Sequence, residues 1–159
     1  MLRLSTKCQY GVRAMFEIAK GYPDTPITIR EIAQRQDVSV PYLEQILGRL
    51  RKTGLVKSVK GPGGGYLLVS SPERVTIGAI VSDLEGPVAI TSCLDPDEGC
   101  VKIDGCVVHL LWKALGRQIE DFLNTITLVD LLEGSQFDSQ MLMAATEATS
   151  GLADRTVIA

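Results

Sequence analysis

Residues 61–65, Gly-Pro-Gly-Gly-Gly, constrain the fold more strongly than any other stretch of the 159-residue chain. A run of glycines around a proline can form only a turn. The flanking segments, 55–59 and 66–69, are short and rich in apolar residues, which predicts two strands joined as a β-hairpin. Three predicted helices precede this hairpin. Three short helices followed by a β-hairpin is the element order of a winged helix-turn-helix, so the predicted class is mainly α with a small β-hairpin wing.

The first two helices carry recognisable start signals. Ser5 or Thr6 can cap the first helix, which extends to about residue 20. Thr28 and Glu31 have the spacing of a capping box and open the second helix, which ends near Arg35. Both helices are short, as a helix-turn-helix requires.

The third helix, residues 40–53, has two distinct faces. Ser39 can cap it, Pro41 stands in its first turn, where a missing N–H costs little, and Gly54 ends it. Its core face shows the i, i+3, i+4, i+7 pattern in Leu43, Ile46, Leu47 and Leu50. Its opposite face carries Glu44, Gln45, Gly48, Arg49 and Lys52.

A long amphipathic helix is predicted over residues 106–124, after a fourth helix at 76–85 and before a short last helix capped by Thr127. Its apolar stripe consists of Val108, Leu111, Leu115, Ile119, Phe122 and Ile126, widened by Trp112 and Leu123. At ~1.5 Å per residue the helix is ~30 Å long, which gives more apolar surface than the N-terminal domain can cover. A helix from a second subunit would cover the rest, so we expect a homodimer.

The chain therefore divides into four predicted parts. They are a winged helix-turn-helix domain (1–86), a loop (87–105), a dimerisation helix with the short helix after it (106–133), and a tail without an assigned role (134–159).

The net charge of −3 is unevenly distributed along the chain. Residues 1–60 hold 11 Lys and Arg against 5 Asp and Glu, giving +6, whereas residues 61–159 hold 5 against 14, giving −9. A basic N-terminal part suggests a polyanionic partner for that part. The sequence shows neither a secretory signal nor an apolar run of the ~20 residues that span a bilayer, so we expect a cytoplasmic protein without membrane contact.

The third helix is suited to reading DNA, because one face holds it on its domain and the other can reach base edges in the major groove. Gln45 can pair with adenine, Arg49 with guanine or a phosphate, and Glu44 with a cytosine amino group. The hairpin would add a minor-groove or phosphate contact. The predicted DNA-binding residues are Pro41, Tyr42, Glu44, Gln45, Arg49, Lys52, Lys60, Gly63 and Gly64. The plainer interpretation is a solvated basic face, which leaves the glycine-rich hairpin and the charge division unexplained.

Three of the four cysteines and the only histidine lie close together as Cys93-x6-Cys100-x5-Cys106-x2-His109. These ligand types suit zinc or an iron-sulfur cluster. Structural zinc sites usually use tighter Cys-x2-4-Cys pairs, so the spacing favours the larger cluster and leaves zinc open. A core histidine is a simpler explanation of His109, and a Cys106–His109 nucleophile pair would leave the other two cysteines without a role.

Four stretches resemble the IscR/NsrR/CymR family of winged-helix iron-sulfur transcription regulators. They are STKCQYGVRAM, SVPYLEQILGRLRKTGLVKSVKGPGGGYLL, the cysteine stretch ending CVVHLLW, and FLNTITLVDLL, which together span about residues 1–133. The Cys-x2-His pair and the FLNTITL segment are most similar to the IscR branch. The resemblance implies a homodimeric, non-enzymatic regulator that binds palindromic double-stranded operator DNA with an affinity set by its cluster.

The resemblance also implies a [2Fe-2S] cluster bound by Cys93, Cys100, Cys106 and His109, with [4Fe-4S] and zinc as alternatives. In NsrR-like members the first helix of the partner subunit supplies a carboxylate ligand one position from Cys8. Cys8 is therefore an alternative fourth ligand, or one that exchanges with His109, and a free thiol near the start of the first helix is the plainer explanation that we favour. Pro41 and Lys60 differ from the Ser and Arg of IscR, and Lys60 keeps the charge without the guanidinium fork. Two other functions remain open: a winged-helix protein with structural zinc and no sensing, and an iron-sulfur redox protein.

Overall fold

The structure is a computed structural model, and it describes residues 4–87, 91 and 106–134. The predicted loop 87–105 and tail 134–159 therefore lie almost entirely outside the described residues. The elements, in chain order, are α1 (Thr6–Ala19), α2 (Ile29–Gln36), α3 (Val40–Lys52), β1 (Val56–Val59), β2 (Gly65–Leu68), a 3₁₀ turn (Pro72–Arg74), α4 (Ile77–Glu85), α5 (Val107–Thr125) and α6 (Leu128–Glu133).

The helix start signals act in the structure largely as predicted. The Ser5 hydroxyl accepts a hydrogen bond from the Cys8 amide at the start of α1. Thr28 and Glu31 form the reciprocal capping box of α2, and Thr127 caps α6 in the same manner. Ser39 is an exception: it occupies the N-cap position of α3, but its side chain makes no capping hydrogen bond.

The hairpin forms an antiparallel two-stranded sheet, in which Val56 pairs with Leu68 and Val59 with Gly65. Ile27, in the segment that joins α1 to α2, extends this sheet by exchanging two backbone hydrogen bonds with Tyr66 (3.2 and 2.8 Å). The wing is thereby attached to the helical part of the domain at its base. The mainly helical fold with a β-hairpin wing agrees with the prediction.

The core lies where α1, α3 and α4 meet. Leu43, Ile46, Leu47 and Leu50, the predicted core face of α3, are each 0% exposed. Other fully buried side chains come from α1, α2, both strands, α4 and α6: Met15, Ile18, Ile32, Val56, Leu68, Ile80, Leu84 and Leu128. Burial of this apolar set fixes the orientation of α3 and leaves its other face in solvent.

Helix α5 packs on α4 but remains largely uncovered. Within the described residues of this helix only Gly116 is buried. Large apolar side chains stay exposed: Val107 (77%), Val108 (55%), Leu110 (62%), Leu111 (58%), Leu115 (42%) and Phe122 (45%). The predicted apolar stripe of this helix is wrong at its C-terminal end, where it includes Ile126. Ile126 lies after the helix, in extended backbone, and is 3% exposed because it packs into the core.

Candidate DNA-binding surface and metal centre

The solvent face of α3 presents the polar side chains expected of a recognition helix. Pro41, Glu44, Gln45 and Lys52 are exposed. Gly48 is half-buried, and a Cβ added there would have no atom within 4 Å. This glycine therefore leaves open space along the helix, so that another backbone could approach it closely.

Tyr42 differs from those residues in being half-buried. Its ring packs edge to face on the ring of Tyr10 in α1, with 6.1 Å between the ring centroids. The exposed Arg13 guanidinium lies over the ring of Tyr10, 5.5 Å from its centroid. Tyr42 thus attaches α3 to α1, and the sequence reasoning missed the contact between Arg13 and Tyr10. The i, i+3 spacing of Tyr10 and Arg13 is the signal that would have indicated it.

Arg49 is exposed, but part of its guanidinium is already engaged. Its Nε donates a hydrogen bond to the backbone carbonyl of Asp83, in the last turn of α4. The residue predicted to read a base is therefore also a contact between two helices of the domain.

The wing presents Lys60 at the end of β1, and this side chain is exposed. The Gly64 amide donates to the Gly61 carbonyl at 2.9 Å and closes the turn. Gly63 has φ +75°, which favours glycine, and a Cβ at Gly64 would collide with the Val59 carbonyl. The turn therefore needs glycine at Gly63 for its backbone angle and at Gly64 for lack of space, and the exposed Lys60 cation precedes it.

Two of the four predicted metal ligands lie within the described residues, both at the start of α5. Cys106 is the N-cap residue, half-buried, and makes no side-chain capping bond. His109 is half-buried, and its Nδ1 atom is buried and has no hydrogen-bond partner among the residues that the structure describes. Leaving a buried nitrogen unpaired costs free energy, which a bond to a metal would remove. Thiolate and imidazole are ligands of both iron-sulfur clusters and zinc, so these two residues fit either group.

Cys93 and Cys100, the other two predicted ligands, lie outside the described residues. Among residues 4–87, 91 and 106–134, no three His, Cys, Asp or Glu side chains come close enough to hold a metal ion together. Cys106 and His109 would therefore need donors from elsewhere.

Cys8 lies in the core and is 0% exposed. Burial, with a smaller effect from the Glu85 carboxylate, raises the pKa of the Cys8 thiol to about 11. A metal binds the thiolate form, which this environment disfavours. The position therefore argues against Cys8 as the alternative ligand and agrees with a free thiol that packs as a small apolar side chain.

Three helices, a hairpin wing and an exposed polar face on α3 define a winged-helix transcription regulator. The family model described as Rrf2, iron-dependent transcriptional regulator, matches residues 4–134, and the chain belongs to this family. No helix in the part of the chain that the structure describes could cross a membrane.

Similar proteins agree with this assignment. The HTH-type transcriptional regulator IscR of Erwinia tasmaniensis is 42% identical over 135 residues, which cover 85% of this chain and 81% of that protein. IscR of Yersinia enterocolitica is 44% identical over 131 residues, or 82% of this chain and 79% of that protein. These relatives are transcription regulators, and the chain is a transcription regulator, not an enzyme.

Two solved structures resemble the fold closely. CymR, the global cysteine regulator of B. subtilis, has a TM-score of 0.73 and 36% identity, covering 85% of this chain and 99% of that one. IscR of T. potens has a TM-score of 0.71 and 39% identity, covering 87% of this chain and 91% of that one.

Proposed function

We propose that this regulator is a homodimer that binds palindromic operator DNA in the cytoplasm and whose DNA affinity depends on a [2Fe-2S] cluster held by Cys93, Cys100, Cys106 and His109. The observation that carries the proposal is the Nδ1 atom of His109, which is buried and has no partner among the described residues, three positions after Cys106 and in the first turn of a helix that packs on the winged-helix domain. We also propose the division into parts 1–86, 87–105, 106–133 and 134–159 described above.

Direct DNA contacts are assigned to the exposed side chains of α3 and to the wing. Gln45, Lys52 and Glu44 are exposed, and their side chains suit different parts of DNA: Lys52 a phosphate, and Gln45 and Glu44 base edges. Pro41 offers only an apolar contact, since it has no side-chain donor. Lys60, with the glycine turn that follows it, is assigned to a phosphate or the minor groove.

Dimerisation is assigned to the uncovered face of α5. Leu110 and Leu111 are 62% and 58% exposed, which is unusual for leucine unless another surface covers it. The apolar side chains continue along the 19 residues of this helix, so an equivalent helix is the matching partner. Symmetry would then place two recognition helices on two operator half-sites.

When bound, the cluster supplies an iron centre whose occupancy reflects the supply of iron and sulfur. His109 contributes a neutral imidazole and the cysteines contribute thiolates. Because His109 lies in the first turn of α5, Cys106 is its N-cap residue and the other two ligands precede it in sequence, occupancy would restrain the chain between α4 and α5. Linkage is reciprocal, so operator DNA should also change cluster affinity.

Anaerobic purification followed by an absorption spectrum and assays of iron, sulfide and zinc tests the ligand set. His109→Ala and Cys106→Ala should lose iron and the visible absorption, whereas Cys8→Ala, the matched control from the core, should retain both. DNA affinity of loaded and metal-free protein is compared on a duplex that the wild-type protein selects from a randomised library. Zinc without sulfide would support a structural zinc site instead, and equal affinity with and without the metal would refute sensing.

A further inference from the structure

The last turn of α4 makes contacts with two other helices of the winged-helix domain. Arg49 of α3 donates from Nε to the Asp83 carbonyl, and Ser5, at the start of α1, donates to the Glu85 carboxylate. Leu84, between these two residues, is 1% exposed and belongs to the core. Positions of α1, α3 and α4 are therefore fixed relative to one another at this turn.

The sequence leaves the Asp83 carbonyl without a helical partner. A carbonyl in an α-helix accepts from the amide four residues later, and that residue is Pro87, which has no N–H. A cation at the C-terminal end of a helix is also favoured by the helix dipole. The Arg49 guanidinium both donates to the Asp83 carbonyl and places a positive charge at the C-terminal end of α4. It therefore supplies a hydrogen bond that the helix itself cannot.

Arg49 does not lie in the row of α3 residues that is directly opposite the core face. At 3.6 residues per turn, Pro41, Gln45, Gly48 and Lys52 follow one line along the helix, opposite the core face. Arg49 is displaced from that line toward the flank that also carries Tyr42, seven residues earlier. Tyr42 packs on Tyr10, so this flank is the one that docks α3 on its neighbours.

We propose that Arg49 is a positioning residue: it fastens the recognition helix to the last turn of α4, and the DNA-reading side chains are oriented through it. This inference rests on the proposed DNA-binding function. Gly86 directly follows α4, and the sequence continues from there to the proposed metal ligands. The contact between Arg49 and Asp83 therefore joins α3 to the helix that precedes those ligands.

The test compares Arg49→Gln with Lys52→Gln, since each removes one positive charge from α3. Affinity for the duplex that the wild-type protein selects is measured by fluorescence anisotropy over a salt series. Lys52→Gln should reduce the slope of log affinity against log salt by about 0.9 for each bound subunit, because a phosphate contact is lost. Arg49→Gln should leave the slope unchanged and weaken binding roughly tenfold, with a smaller loss on a scrambled duplex.

A second measurement uses the wild-type protein and is independent of whether the variant folds. The Arg49 Hε resonance, assigned in the wild-type protein by through-bond correlation with the Arg49 backbone, should exchange slowly with water in the free protein and remain protected when the duplex is added. Rapid exchange in the free protein, or a salt slope reduced as in Lys52→Gln, would overturn the positioning role while leaving the proposed function intact. Failure to select any duplex would instead refute the proposed function, and this inference with it.

Discussion

Replacing Glu17 with glutamine should lower the free energy of unfolding, because this carboxylate joins α1 to the end of α2. It is the only buried charged residue within the described part of the chain, and its side chain is 5% exposed. It accepts hydrogen bonds from Lys20 Nζ at 2.8 Å, Arg35 Nη1 at 3.0 Å and Gln36 Nε2 at 3.0 Å.

The size of the effect follows from these contacts. A hydrogen bond to a charged group contributes about 1 kcal/mol more than a neutral one, and glutamine would convert the two ionic contacts into weaker ones, a loss of about 2 kcal/mol. The side chains of Lys20 and Arg35 are 44% and 50% exposed, so water can solvate them once the carboxylate is gone. The loss should therefore stay below the ~3–5 kcal/mol of a fully buried pair.

The pH dependence provides an independent check. Burial alone would raise the pKa of Glu17, but the hydrogen bonds and charges of Lys20 and Arg35 outweigh it, and the pKa is lowered overall. The folded protein thus binds the proton less tightly than the unfolded chain. The stabilisation is fully present above the unfolded pKa of about 4.3 and is lost as the pH falls through the lower folded value. The difference between wild type and Glu17→Gln should shrink over that interval.

Urea unfolding at equal protein concentration, followed by circular dichroism at pH 7 and pH 3.5, measures both effects. Glu44→Gln is the matched control, since Glu44 is exposed and its replacement should change stability by less than about 0.5 kcal/mol. A double-mutant cycle with Arg35→Met should give a coupling energy of about 1 kcal/mol. Equal stability of Glu17→Gln and Glu44→Gln at pH 7, or additive effects in the cycle, would refute the assignment.

Three further predictions concern the proposed surfaces. Gly48→Ala should raise stability by about 0.8 kcal/mol in urea unfolding, since nothing obstructs the added methyl, yet weaken DNA binding in an anisotropy titration if a DNA backbone approaches there. Leu111→Asp should weaken subunit association by more than about tenfold in sedimentation velocity, whereas exposed Lys113→Ala should leave it unchanged. Cys8 should remain unmodified by iodoacetamide at pH 8 in native protein, measured by mass spectrometry, because it is buried and has a raised pKa.

Local signals account for the parts of the fold that could be predicted. The capping box of Thr28 and Glu31 involves neighbours three residues apart, and the core face of α3 follows from a 3.6-residue period. Neither depends on distant parts of the chain. Ser39 was predicted to cap α3 by the same reasoning, but its side chain makes no capping hydrogen bond. Residue type sets a preference for capping and does not by itself form the contact.

The features that sequence reasoning missed depend on tertiary packing. A helical projection puts Arg49 on the polar side of α3, but only the folded domain brings the Asp83 carbonyl to it. Ile126 continues the apolar period of α5 in the sequence, although the helix has ended and the chain has turned into the core. For Cys8 the sequence carries a local signal that supports the favoured free thiol, because Cys8, Met15 and Ile18 lie at helical spacing on one face of α1, and all three are fully buried.

The two ends of α5 are held differently, and this difference bears on how a ligand could influence the winged-helix domain. At its C-terminal end, Ile77 donates to the Ile126 carbonyl at 2.8 Å and Leu128 donates to the Val75 carbonyl at 2.9 Å, which fixes the end of the helix to the start of α4. At its N-terminal end, Val107 and Val108 are 77% and 55% exposed. A helix of 19 residues spans ~28 Å, so a restraint applied at the exposed end acts far from the fixed one. In the homodimer proposed above, such a restraint would turn α5 about its fixed end, and the angle between the two winged-helix domains would change with it.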